Sequence, residues 1–164
     1  MLAAKTASML DQGTRGWFAW LASTPAGALR AAKIEWSDAT WNVITGCSVV
    51  SPGCTNCYAM RLAGTRLQHH PSRAGLTRDT KAGPVWTGEV RLNEEWLDQP
   101  LRWKRPRMIF VVAHGDLFHE AVEVAWLDAV FGVMRQASRH TFQVLTKRPQ
   151  LARKYLAGTA PLPN

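Results

Sequence analysis

No stretch of this chain is apolar for long enough to cross a bilayer, which takes about 18 consecutive residues, so no membrane partner is expected. Near the start, the short apolar segment Trp17–Leu21 is preceded by Gly13, Arg15 and Gly16, which break up the uninterrupted core that a secretory signal needs. Cysteine is scarce. There are three, an odd number, and all lie inside "TGCSVVSPGCTNCYAM" at Cys47, Cys54 and Cys57. With no secretory core, that count argues against a disulfide framework and for a reducing, cytoplasmic setting. Acidic residues are also few, 12 Asp+Glu against 20 Lys+Arg, which leaves a formal charge of +8. Such a surface favours anionic partners, nucleic acid first among them. No block of five or more like charges marks a dedicated polyelectrolyte tail.

What is present is globular composition: 46% of the 164 residues are hydrophobic and eight are Trp, enough for about one domain. Residues 1–33, rich in Ala, Gly, Ser and Thr, read as a loosely ordered or partly helical extension, and residues 34–164 as the domain. Residues 56–68 have helical spacing of Tyr58, Leu62 and Leu67, with Thr55 or Asn56 as N-cap. Residues 69–85 hold two prolines, two glycines and little periodicity, and read as loop. "TGEVRL", 87–92, reads as a short strand, followed by a short helix capped by Asn93 and disrupted at Pro100.

The strongest patterns come next. "RMIFVVA", 107–113, and "TFQVLT", 141–146, are β-branched apolar runs of buried-strand length. Between them, residues 121–137 put Val122, Trp126, Val130, Val133 and Met134 near one helical face, and a further helix starts at Pro149. The βαβα order predicts two parallel strands joined by a crossover helix. A closed (β/α)8 barrel takes about 250 residues, so the alternation here amounts to part of one, and the sequence reads as a fragment.

Three close sulfurs suggest a metal, yet a structural zinc takes four ligands. Cys54 and Cys57 form one CxxC and Cys47 lies seven residues upstream, so His69 or His70 would have to complete a zinc site. The alternative needs only three. A [4Fe–4S] cluster is held by cysteine thiolates, and in radical S-adenosylmethionine enzymes the uncovered iron takes the amino and carboxylate groups of that cofactor. The spacing here is C-x6-C-x2-C, whereas the commonest radical signature is C-x3-C-x2-C. Ser51-Pro52-Gly53 is turn chemistry that curls a loop around a compact object, and Cys57 stands at an expected helix start.

In a parallel αβ unit, functional groups collect beyond the carboxyl ends of the strands. His114, Asp116 and His119 follow the first run, and Lys147 and Arg148 the second. Asp116 and Lys147 are the candidate catalytic residues, with a loop-shaping role as the bland reading of Asp116. Tyr58 and His114 join the cysteines as candidate cofactor contacts. His114, Asp116 and His119 carry no metal-ligand spacing, and Trp36 and Trp41 read as packing residues. "RWKRPR", Arg102–Arg107, is the densest basic patch, but it precedes its strand and so falls on the opposite end from the cysteine loop.

"KIEWSDATWNVITGCSVVSPGCTNCYAMRLAGTRL", together with "DLFH" and "TFQVLTKRP", resembles the phage- and prophage-associated "gp thirty-seven/gp sixty-eight" family over residues 33–164. That resemblance implies a partial TIM-type barrel, a [4Fe–4S] cluster on Cys47, Cys54 and Cys57, S-adenosylmethionine as co-substrate, and an electron donor such as a flavodoxin or ferredoxin. It also implies further strands and a glycine-rich acidic segment that do not occur here. Val43 stands where the family often has proline, and "AHGDLFH" departs from its usual "SMSDLFH". The resulting expectation is a radical iron–sulfur protein of phage origin acting on an unknown substrate. The alternatives are a zinc-binding, nucleic-acid-binding module without catalysis, or an inactive prophage fragment.

Overall fold

The computed structural model describes residues 35–162, so the expected extension over residues 1–33 lies outside the described residues. Two apolar runs set the architecture. "MIFV" forms β6, Met108–Val111, and "TFQV" forms β7, Thr141–Val144, and the two pair in parallel with Ile109 opposite Phe142 and Val111 opposite Val144. On the other side of β6, β1 (Ala39–Trp41) also pairs in parallel, with Trp41 opposite Val111. The sheet order is β1-β6-β7. It is a small open sheet, and none of the described sheets closes into a barrel.

The crossover from β6 to β7 is the helix α3, Val124–Gln136. Its buried residues are Leu127, Val130, Phe131, Val133 and Met134, while Val122 and Trp126 pack partly buried against the same core. Trp41, Ile44, Ile109, Val111 and Val130 are fully buried, which places the centre of the core between sheet and helix. At about 1.5–3 kcal/mol for each large apolar side chain removed from water, this cluster is the main source of stability. The helix α4, Pro149–Leu156, starts with its proline at the first turn, where the missing N–H costs nothing.

A second, smaller unit of packing surrounds α1, Tyr58–Ala63. This helix is shorter than its sequence pattern suggests, and the N-cap position falls to Cys57 rather than Thr55 or Asn56. Residues 69–85, expected to be loop, instead contain most of a hairpin. Strands β3 (Thr77–Thr80) and β4 (Gly83–Trp86) pair antiparallel, from Thr77 opposite Trp86 to Thr80 opposite Gly83. Its first strand is polar and largely exposed, and the hairpin is anchored at its base, where Leu76 and Trp86 pack with Ala59, Met60 and Ala63 and Val85 packs alongside. Two further short strands, β2 (Ile44–Thr45) and β5 (Arg91–Leu92), pair antiparallel, so "TGEVRL" is a strand only at its end. Asn93 caps nothing with its side chain. It is buried, and its amide donates to Asn42 O (3.0 Å), Val43 O and Thr45 Oγ1. Pro100 starts the short helix α2, Gln99–Arg102, rather than ending one.

Two backbone features aim the loops at the carboxyl end of the sheet. Val112 has φ 55°, a conformation that β-branched residues rarely adopt, and its N–H donates to Trp41 O at 2.8 Å. It turns the chain out of β6 toward His114. Gly46 has φ +97°, and a β-carbon there would lie 2.2 Å from Glu89 O. It also bridges in parallel to Gly115. Gly88 has a similar φ of +92° but open space around it. Gly46→Ala should therefore cost clearly more than about 2 kcal/mol of unfolding free energy, against about 1–2 for Gly88→Ala, which denaturant unfolding of the two variants will compare.

Candidate functional site

The cysteine loop leaves β2 at Gly46, whose N–H donates to His114 O at 3.2 Å. A 3-10 turn over Pro52–Cys54 curls it back, closed by Cys54 N to Ser51 O (2.9 Å) and Thr55 N to Pro52 O (3.0 Å). Cys57 N then donates to Cys54 O at 3.2 Å, and α1 begins. Cys47 and Cys57 pack against the Met60–Leu76–Trp86 cluster. All three cysteines are free thiols.

Two adjacent cations after β7 reach two different sulfurs. Lys147 Nζ donates to Gly53 O at 2.7 Å and lies 3.4 Å from Cys54 Sγ. Arg148 Nη1 lies 3.6 Å from Cys47 Sγ. The two thiols respond differently. Burial alone would raise the Cys54 pKa, but hydrogen bonds from Val50, Ser51 and Lys147 outweigh it and bring it down to about 7. Burial pushes Cys47 up, and the opposing pull of Arg148 does not overcome it.

Asp116 is what places those cations. Its Oδ1 accepts from Phe118 N (3.0 Å) and Thr146 Oγ1 (2.7 Å), and its Oδ2 from Lys147 N (3.0 Å) and Arg148 Nη1 (3.1 Å). With four donors around it, the carboxylate holds the turn after β6 to the turn after β7. Arg148 divides its remaining donors between Glu120 Oε2 (2.7 Å) and Ser48 Oγ (2.6 Å). Ser48 Oγ also meets His119 Nε2 at 3.0 Å, and His119 Nδ1 accepts from Ala121 N. The His119 proton therefore sits on Nε2. Ser48 accepts twice, which leaves its own O–H free to donate. Burial, and then Arg148, lower the His119 pKa, so the ring stays neutral.

On the other flank of the loop, Tyr58 donates its hydroxyl to Ala113 O at 2.5 Å and its ring stands 6.3 Å from that of His114. Arg73 Nη2 lies 2.6 Å from His114 Nδ1. Burial, then the Arg73 charge, depress His114 to about 4. His70 is engaged with Ser72 Oγ at 2.7 Å, and His69 is exposed. Trp41 is fully buried and Trp36 is 42% exposed against Phe110. Among the described residues, no three His, Cys, Asp or Glu side chains are gathered closely enough to hold a metal ion, so the proposed triad of thiols and the His114–Asp116–His119 set are both uncollected here. The basic patch 102–107 precedes β6, at the opposite end of the sheet from this loop, with Arg107 stacked 5.1 Å over Trp103. No helix among the described residues is long and apolar enough to cross a membrane.

Residues 31–163 match the model of a family described as "Protein of unknown function (DUF5131)". The chain belongs to that family. No curated protein and no solved structure matches it. The family description carries no activity, so the chemistry of this DUF5131 domain has to be read from its own residues. Of these, sequence reasoning reached the cysteines, Tyr58, His114, Asp116, His119, Lys147 and Arg148. It missed Ser48, Arg73 and Glu120, whose roles depend on partners 28 to 100 positions away.

Two outcomes follow from this geometry. Asp116→Ala leaves a buried guanidinium half-paired and should destabilise the fold by about 3–5 kcal/mol. Glu120→Ala, at a side chain 58% exposed, should cost under about 1 kcal/mol in the same denaturant series. Cys54 should titrate near pH 7 by thiolate absorbance, and Lys147→Met should move that midpoint up. Because the folded pKa is depressed, the thiolate's stabilisation is full above the ordinary value of 9.0 and lost below about 7, so Lys147→Met should destabilise more in alkali than in acid.

Proposed function

We propose that this DUF5131 domain is a radical iron–sulfur protein, with a [4Fe–4S] cluster on Cys47, Cys54 and Cys57 and S-adenosylmethionine at the iron that no cysteine covers. The observation that carries this reading is the pairing of Lys147 with Cys54 and of Arg148 with Cys47. A cluster bound by three thiolates is anionic, and two cations delivered to two of its sulfurs suit that charge. The donor set fits as well: three soft thiols on one loop, at the carboxyl ends of parallel strands. Among the described residues the sulfurs are not gathered closely enough to hold a metal, so in this reading loading orders the loop around it, as metal binding commonly orders a site.

When bound, such a cluster supplies single-electron reduction to a sulfonium, drawing on a donor of the flavodoxin or ferredoxin kind. The chain's own residues supply the rest. Cys54, already near its ionisation point at neutral pH, gives up its proton more readily than Cys47, with Lys147 holding the negative charge. Arg148, fixed by Asp116, keeps a positive charge beside Cys47, whose thiol needs that help because it is buried. Ser48 and Tyr58 border the loop, and the Ser48 hydroxyl proton is available to a ligand. Asp116 is a positioning residue in this scheme and Lys147 the group that touches the centre. The substrate, with nucleic acid or a modified base as the class suggested by the +8 charge, is approached on that same face.

Anaerobic reconstitution with iron and sulfide should give a brown protein, bleached by dithionite, with one cubane per chain. Cys47→Ala, Cys54→Ala and Cys57→Ala should each abolish loading. Full iron content in Cys47→Ala, or stoichiometric zinc with no iron uptake, would overturn the assignment. Release of 5′-deoxyadenosine from S-adenosylmethionine by the reduced protein is the test of turnover.

A further inference from the structure

Two arginines in this domain are equally buried, each 4% exposed, and their surroundings differ. Arg148 is matched by the carboxylates of Asp116 and Glu120. Arg73, in the segment between α1 and β3, has no carboxylate within 4.0 Å among the described residues. Its partners are all neutral. Nη1 donates to Ser72 Oγ, Nη2 to His114 Nδ1 at 2.6 Å, and the guanidinium lies 5.5 Å over the Trp96 ring. Its Nε is buried with no partner. A buried cation without an anion is costly, and a guanidinium does not escape the cost by losing its proton.

The contact with His114 shows where a counter-charge is accessible. A guanidinium can only donate, so His114 Nδ1 must accept and the ring proton must sit on Nε2. Among the described residues that Nε2–H has no protein partner, and unlike Arg73 Nε it is not sealed from solvent. We propose that Arg73 and His114 form a recognition site for a small oxyanion, a carboxylate or phosphate group, with His114 Nε2–H as the direct donor and buried Arg73 as the charge behind it. The backbone fixes this donor on both sides. His114 N donates to Asn42 Oδ1 at 3.1 Å, and His114 O accepts from Gly46 N at 3.2 Å, one residue before Cys47. An acidic group held there leaves the body of its molecule beside the cysteine loop. Burial and Arg73 keep His114 neutral at physiological pH, so the ring presents a single defined tautomer. The site stands on residues separate from the three thiols and requires no cluster.

The test uses the full metal-free chain, labelled with nitrogen-15 and followed by NMR. Inorganic phosphate and acetate are titrated separately, with sodium chloride at matched ionic strength as reference. Saturable shifts of the His114 ring and Arg73 Nε–H signals are expected. A response to phosphate alone assigns the phosphate class, and a response to acetate alone the carboxylate class. No response beyond the chloride reference to either anion overturns the proposal. Arg73→Gln should weaken binding roughly tenfold or more, and undiminished binding by folded Arg73→Gln overturns it as well. If that variant does not fold, the wild-type titration decides alone. Failure to load iron has no bearing on this result.

Discussion

Asp116 and Arg148 form the one ion pair among the described residues with both side chains buried, at 6% and 4% exposure. Taking two charges out of water costs several kcal/mol for each ion unless every remaining donor and acceptor is met. Here the accounting is nearly complete. The carboxylate receives four hydrogen bonds, and the guanidinium also serves Glu120 and Ser48. The pair fastens the turn after β6 to the turn after β7, and the second of these carries Lys147 and Arg148, the cations that reach the cysteine loop among the described residues. Part of the loop's electrostatics is thus inherited from a buried contact outside it, beside the loop's own donors at Val50 and Ser51.

The thiols divide the work unequally as a result. Cys54 stands on a tight turn among donors and approaches half-ionisation at neutral pH. Cys47 is half-buried, and the desolvation of its thiol raises its pKa despite Arg148. Under the proposed function, Cys54 would be the readier thiolate for a metal, whose positive charge would then lower the cost of deprotonating Cys47.

Much of this was legible in the sequence because it depended on local pattern. The runs at 108–111 and 141–144 are β-branched and apolar, α3 has one apolar stripe, and Pro149 sits where a helix begins. Parallel pairing of the two runs followed from their order, and with it the face on which the loops collect. The hairpin 77–86 was hidden because "TRDTKAGPVW" has no apolar alternation. Only Leu76 and Trp86, at its base, are buried. Asn93 looked like a cap because its spacing fits one, yet its amide is spent on three acceptors around β2, a tertiary demand that no local rule contains. Arg73 sits in the unremarkable "HHPSR", and what singles it out is a carboxylate that does not come near.

Gly46 and Gly115 meet backbone to backbone, with no side chain between them to absorb a displacement. One of these glycines precedes the first cysteine and the other follows the imidazole beside Arg73. A shift on either side of this contact therefore meets backbone directly, with no side chain to repack. If the proposed metal and the proposed anion both bind, free energy spent in drawing the loop inward would be felt at the imidazole, and by reciprocity the anion would alter the grip on the metal to the same extent.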